Sequence, residues 1–429
     1  MNSRTQSFIF IGIAVVIIIS VLAFSGIFSG GGTTIPPISG TLEFWGFNGD
    51  ENLWRDTITA FTEEHKGISV SYRELSEATF EERLVNALAR GTGPDIFLLK
   101  NSWISTHRDL ILPLPQQVFE YTTRDFETTF VDGVSETLIM PDGSILGLPL
   151  GIDTPALFYN KDIFNTAGIA SPPKTWEDIS ALILKLTVKT RADDITESAI
   201  ALGTHKNVEH FFEILTSLIF QYGDMLIDPA TEDAPLTEKS AAAFAHFYSF
   251  ADSRSPNFSW TDRKQKSLDA FANGQTAMAI GFARDIKRIQ EKNPHLNLGI
   301  APFPQRAGSR TPATDAVYLF PAISKQSKNP IAAWQFAFFI SSQKGVQPYL
   351  LETNLAPARR DMIAAGSQNP DLSVFWRQAL TARTWLNPDE QATRSLFARA
   401  LDTIASRTET PEQAIVTLRN QLRLLIPSP

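Results

Sequence analysis

No cysteine occurs anywhere in the 429 residues. That absence removes disulfides, thiolate-held metals, iron–sulfur ligation, cysteine nucleophiles and a lipid-modified N-terminal cysteine, so an exported domain would rest on its core alone. Histidine is sparse too: six are scattered, and His205 and His210, five apart, lack the i, i+4 spacing and the Glu of a helical zinc site. The sequence has no Gly-x-Ser-x-Gly elbow, phosphate loop or dinucleotide fingerprint. Nor has it a Lys/Arg cluster, and a net charge of −8 opposes the phosphate neutralisation that a nucleic-acid surface needs. No metal, cofactor or nucleic acid is therefore expected, which leaves a small molecule or a protein as partner.

What is present is apolar and aromatic. A composition 43% hydrophobic and 20% charged, with 30 Phe, belongs to a folded chain. Its length suits two domains, each of roughly 150–200 residues. Residues 8–28 (FIFIGIAVVIIISVLAFSGIF) carry no charge and at about 1.5 Å per residue reach the hydrocarbon thickness of a bilayer. An uncleaved membrane anchor is the expectation, with signal-peptide cleavage near Ala23 and Ser25 as the alternative; either exports the rest. Residues 29–40, rich in Gly and Pro, form a linker.

From residue 41 the hydrophobic period alternates between two and 3.6. Residues 41–45, 68–72 and 95–99 read as strands, with helices between them. The first helix stops at Gly67; the second opens on a Thr79–Glu82 capping box and stops at Gly91. This β-α-β-α-β order predicts a parallel, doubly wound sheet, whose ligands bind beyond the strands' carboxyl ends. Trp45, Asn48 and Asp50 lie there after the first strand, and Asn101, Ser102 and Trp103 after the third. Core packing accounts for the two tryptophans equally well. In GLPLGIDTPALFYNKDIF, Asp153 interrupts two short apolar runs.

Further on, Thr175 and Asp178 suit an N-cap, residues 211–222 and 241–252 suit helices, and residues 276–280, 298–302 and 317–323 suit strands. Arg284 follows the first of these strands, at its ligand end or on a solvated surface. Residues 332–340 (AAWQFAFFI) suit a buried helix, and the last 70 or so residues amphipathic ones.

Six segments in order, TLEFWGF, ALARGTGPDIF, GLPLGIDTPALFYNKDIFNTAGI, PPKTWEDI, AFANGQTAMAIG and APFPQ, resemble hallmarks of the extracellular solute-binding proteins of ABC importers. They are similar to the sugar-binding group that includes the maltodextrin binders. The resemblance implies a two-lobed α/β clamshell of class II type, each lobe a mainly parallel sheet flanked by helices. It places lobe I at residues 41–151 plus 302–355 and lobe II at residues 152–301 plus 356–429. It further implies a monomeric, non-enzymatic receptor outside the cytoplasm, held by its N-terminal helix, that presents a sugar to permease subunits.

Residue by residue, Trp45, Asn48, Asp50, Asn101, Ser102, Trp103 and Asp153 match pocket positions of sugar binders. Arg284 stands where many carry a stacking Trp, and Asn207, Tyr318 and Trp385 are further candidates. A peptide, polyamine or anionic solute is the alternative ligand within the fold. An anchored glycosidase using Asp50 with Asp153, or a signalling sensor subunit, is the alternative function.

Overall fold

The computed structural model describes residues 38–47, 51–192, 194–228, 231, 233–309 and 311–426. The segment 8–28, most of the linker, Asn48 and Asp50 lie outside the described residues. Among the described residues no helix is long and apolar enough to cross a membrane.

The strands are β1 (Gly40–Gly46), β2 (Ile68–Glu74), β3 (Ile96–Lys100), β4 (Gly151–Asp153), β5 (Ala156–Asn160), β6 (Val188–Lys189) and β7 (Ile195–Ile200). They continue with β8 (Thr276–Gly281), β9 (Leu298–Ala301), β10 (Thr314–Asp315), β11 (Val317–Ile323), β12 (Ala356–Pro357) and β13 (Ala382–Arg383). A six-stranded sheet runs β12-β4-β11-β3-β1-β2, a five-stranded one β6-β7-β8-β5-β9, and β10 pairs with β13.

The first three strands are parallel, as their alternation with helices predicts. The expectation of mainly parallel sheets needs correction: β11 is antiparallel to β3 and β4, β12 to β4, and β5 to both β8 and β9. The cause is the route of the chain. Strands β1, β3, β4, β7 and β8 run toward the gap between the sheets, whereas β5, β11 and β12 begin at that gap, so each must oppose its neighbours. Between β4 and β5 the chain changes sheet through Thr154 and Pro155 alone. Gly151 makes this crossing possible, since a Cβ there would sit 2.8 Å from Leu350 and 3.0 Å from the Ala356 carbonyl.

Helix 330–340 packs under β1 and β11 with Trp334, Phe336, Ala337 and Ile340 fully buried. Each large side chain so covered contributes about 1.5–3 kcal/mol. Thr79 lies inside its helix (Glu77–Ala89) rather than at its start; the N-cap is Ser76, with no side-chain cap bond. Gly91, at φ +70°, follows the end of that helix.

Two buried clusters result. One spans the first sheet and reaches the near face of the second through Phe158 and Phe375, whose rings are 6.5 Å apart. The other lies beneath helices 176–186, 211–222, 238–249, 390–406 and 411–423. Residues 356–382, expected with the second sheet, bury Ile363, Val374 and Phe375 in the first cluster, and the C-terminal segment joins the second from Trp385 onward.

Candidate functional site

Between the sheets lies a cleft of about 740 Å³. The ends of β3, β4 and β8, the β10–β11 junction and the starts of helices 211–222 and 390–406 border it. Its ionisable wall holds Glu74, Glu77, Asp153, Glu213, Asp285, Asp315, Glu352 and Glu390 against Lys100, Arg284, Lys287, Arg288 and Arg394, so carboxylates outnumber permanent cations.

Asp153 and Arg284, singled out separately in the sequence, meet here. Asp153 is 2% exposed; its Oδ1 accepts from the Ala283 N–H at 3.0 Å and its Oδ2 from Arg284 Nη1 at 3.2 Å. Burial pushes the carboxyl up to about 6, against the pull of Arg284 and the Ala283 amide. The Arg284 side chain is 43% exposed, and its guanidinium lies 4.4 Å above the Phe282 ring. Desolvation would lower its pKa, yet the charges of Asp153, Asp285 and Glu213 raise it.

A second group sits on the same wall. His210, in left-handed backbone at φ +62°, holds its Nε2 2.8 Å from Asp285 Oδ2, which also accepts from the Phe282 N–H at 2.9 Å. Burial would raise the Asp285 carboxyl, but His210 and Arg284 hold it below the usual range.

Also bordering the cleft, Glu213 Oε1 accepts from Arg394 Nη2 at 2.5 Å, and that guanidinium lies 5.1 Å from the centre of the Phe212 ring. Arg394 and His210 overcome burial and hold the Glu213 carboxyl low, while its buried Oε2 has no hydrogen-bond partner. Beside it Asp315, 4% exposed, is raised well above the usual range by burial and by the Glu213 charge. Glu390 Oε2 accepts from Ser102 Oγ at 3.0 Å and Trp103 Nε1 at 2.8 Å.

Of the residues the sequence singled out, Asn101, Ser102, Asp153, Arg284, Tyr318 and Trp385 border the cleft. The Asn101 amide is committed to scaffolding, donating to the Ala316 carbonyl and accepting from the Tyr318 N–H. The Tyr318 hydroxyl is bonded to Thr137, and Trp385 packs 6.3 Å from Phe212. Three others are placed elsewhere. Trp45 is buried, donates to Glu43 and lies under Arg73. The Trp103 ring stacks on Phe80, leaving its N–H to hold Glu390. Asn207 donates to the carbonyls of Thr261 and Lys264 and accepts from Trp260, which fixes a loop away from the cleft wall.

Sequence reading passed over Glu213, Asp315, Tyr349, Glu390 and Arg394. Glu213 did leave a signal, a lone acid in the apolar helix FFEILTSLIF.

Such a cleft can hold a polar solute by exchanging ion pairs and hydrogen bonds for ligand contacts, since groups buried on closure must stay paired. The family model of the bacterial extracellular solute-binding proteins matches residues 56–374. The sn-glycerol-3-phosphate-binding periplasmic protein UgpB of Shigella dysenteriae is 24% identical over 296 residues, 64% of this chain and 66% of that one. The cyclic alpha-maltosyl-1,6-maltose binding protein of Arthrobacter globiformis shares the fold at TM-score 0.76 and 18% identity, covering 90% of this chain and 99% of its own. The sugar-binding protein MalE of Xanthomonas citri does so at TM-score 0.75 and 20% identity, over 90% and 97%.

Proposed function

This chain belongs to the bacterial extracellular solute-binding proteins, and from that premise we propose that it is the extracytoplasmic receptor of an ABC importer and that its ligand is a carbohydrate. The observation that carries this reading is the cleft itself: about 740 Å³ between two sheets joined by a two-residue crossing, with hydrogen-bonding groups from both. The similar solved structures include a binder of cyclic alpha-maltosyl-1,6-maltose and a sugar-binding protein. In this proposal the two sheets are the cores of two lobes that close on the ligand, because a solute touching both lobes favours the closed form by its differential affinity. Asp153, Arg284, Ser102 and Trp385 are its proposed contacts, and the permease reads the closed form.

Arg284 is already paired with Asp153. An anionic solute there would have to displace a buried carboxylate, so the arginine alone does not argue for a phosphate or uronate ligand.

Isothermal titration against mono- and oligosaccharides, hexuronates and glycerol 3-phosphate tests the reading. A saccharide should bind without turnover and, at ~100 times its dissociation constant, add about 2.7 kcal/mol of stability. Binding of glycerol 3-phosphate with no saccharide response would sink the carbohydrate assignment. Residues 8–28 are proposed as the membrane tether; a membrane-associated protein whose mass lacks them would remove it.

A further inference from the structure

We propose that the Glu213–Asp315 end of the cleft is a subsite for a protonated amine, so that the solute captured is an amine-bearing saccharide. This rests on the carbohydrate reading above and specifies the ligand's charge.

The unmatched acceptor is Glu213 Oε2. Glu213 is 7% exposed and borders the cleft; its Oε1 is held by Arg394 at 2.5 Å, while Oε2 is buried without a partner. A buried carboxylate oxygen left unmatched costs the desolvation of a charged group, which a donor from the ligand would offset.

The second observation is the charge balance. Asp315, on β10, borders the same end and forms no ion pair among the described residues. The Arg394 guanidinium is drawn toward Glu213 and lies 5.1 Å from the centre of the Phe212 ring. Across the β10–β13 pair, Arg383 is committed to Glu136. His210 and Arg284 also pull on Glu213, but they are bonded to Asp285 and Asp153, so Arg394 is the one cation paired with either of these two carboxyls. Burial and the Glu213 charge raise Asp315 well above the usual range, as expected where a positive charge is missing.

A neutral hydroxyl could donate to Oε2 but would leave this imbalance, whereas an ammonium supplies both the donors and the charge. An anion would meet two carboxyls. Trp385 and Phe212, 6.3 Å apart beside the pair, supply the apolar flank for a sugar ring.

The test compares saccharides that differ at one substituent. Glucosamine and its β-1,4-linked dimer, their N-acetyl forms, and glucose with cellobiose are titrated calorimetrically into the full chain at pH 6.5. The amine forms should bind at least tenfold more tightly than either counterpart, and Asp315→Asn or Glu213→Gln should remove that preference with the melting transition retained. The wild-type comparison decides the matter even if a variant fails to fold. Equal affinity for the amine and neutral forms, or a preference for the neutral ones, overturns the subsite and leaves the carbohydrate receptor standing. Binding of spermidine with no saccharide response overturns the carbohydrate reading while supporting the cation subsite.

Discussion

At Asp153 two opposing effects act on one carboxylate. Burial at 2% exposure penalises its charge, Arg284 and the Ala283 amide favour it, and the outcome is a pKa raised from 3.8 to about 6. The unfolded chain releases this proton near 3.8 and the folded one near 6. The stability contributed by the group is therefore complete below pH 3.8 and lost as pH rises through about 6. The whole effect is on the order of 3 kcal/mol, about 2 pK units at 1.36 kcal/mol each. Asp153→Asn, neutral at every pH, should accordingly gain stability relative to wild type between pH 4 and pH 7. Urea titrations at both pH values measure the gain, and a difference between variant and wild type that does not change with pH would refute it. In the sequence, Asp153 stood out as a lone acid between apolar runs and Arg284 as a cation at a strand end. Their pairing was not legible, because 131 residues separate partners that meet through the crossing between sheets.

Among the elements, two similar motifs met different fates. Thr175–Asp178 is a closed capping box: Asp178 N–H donates to Thr175 Oγ1 at 3.0 Å and Thr175 N–H to Asp178 Oδ2 at 3.0 Å. Trp176 then enters the core, its Nε1 donating to Gln221 at 2.9 Å. Thr79–Glu82 has the same spacing, but its helix already begins at Glu77, so Thr79 donates to the Ser76 carbonyl from within the first turn. Thr175→Ala should therefore cost about 1 kcal/mol, and Thr79→Ala no more than about 0.5 kcal/mol. Urea midpoints with an unchanged slope are the measurement; equal losses would show that motif spacing rather than observed geometry governs these termini. Local signals of this kind made the helices and the parallel β1–β2 and β1–β3 pairs readable. The antiparallel placement of β5, β11 and β12 depends instead on where the chain re-enters each sheet, and no local period encodes that. Glu213 illustrates the same limit: the acid was visible, but its role needed Arg394, 181 residues away.

For the whole molecule, the contact between Glu390 and the turn after β3 sets how freely the proposed lobes part. Ser102 and Trp103 follow the first sheet's third strand, whereas Glu390 opens the helix that packs into the second cluster. The two bonds to Oε2, at 3.0 and 2.8 Å, and the Thr106 hydroxyl donating to the Pro388 carbonyl at 3.3 Å therefore tie one lobe to the other. Hydrogen bonds to a charged acceptor contribute about 1.5–3 kcal/mol when buried. Glu390 is half-buried, and the lobes regain water on parting, so a net of about 1 kcal/mol in favour of the closed arrangement is the fitting magnitude. Removing it by Glu390→Ala moves the open–closed balance about fivefold and weakens ligand binding by at most that factor, because affinity follows the fraction of the competent state. Small-angle scattering of the ligand-free variant should show a larger radius of gyration than wild type, and saturating ligand should bring the two together. An unchanged radius together with unchanged affinity would mean that this contact only orders the rim of the cleft, and the balance would then rest on Asp153–Arg284 across the crossing.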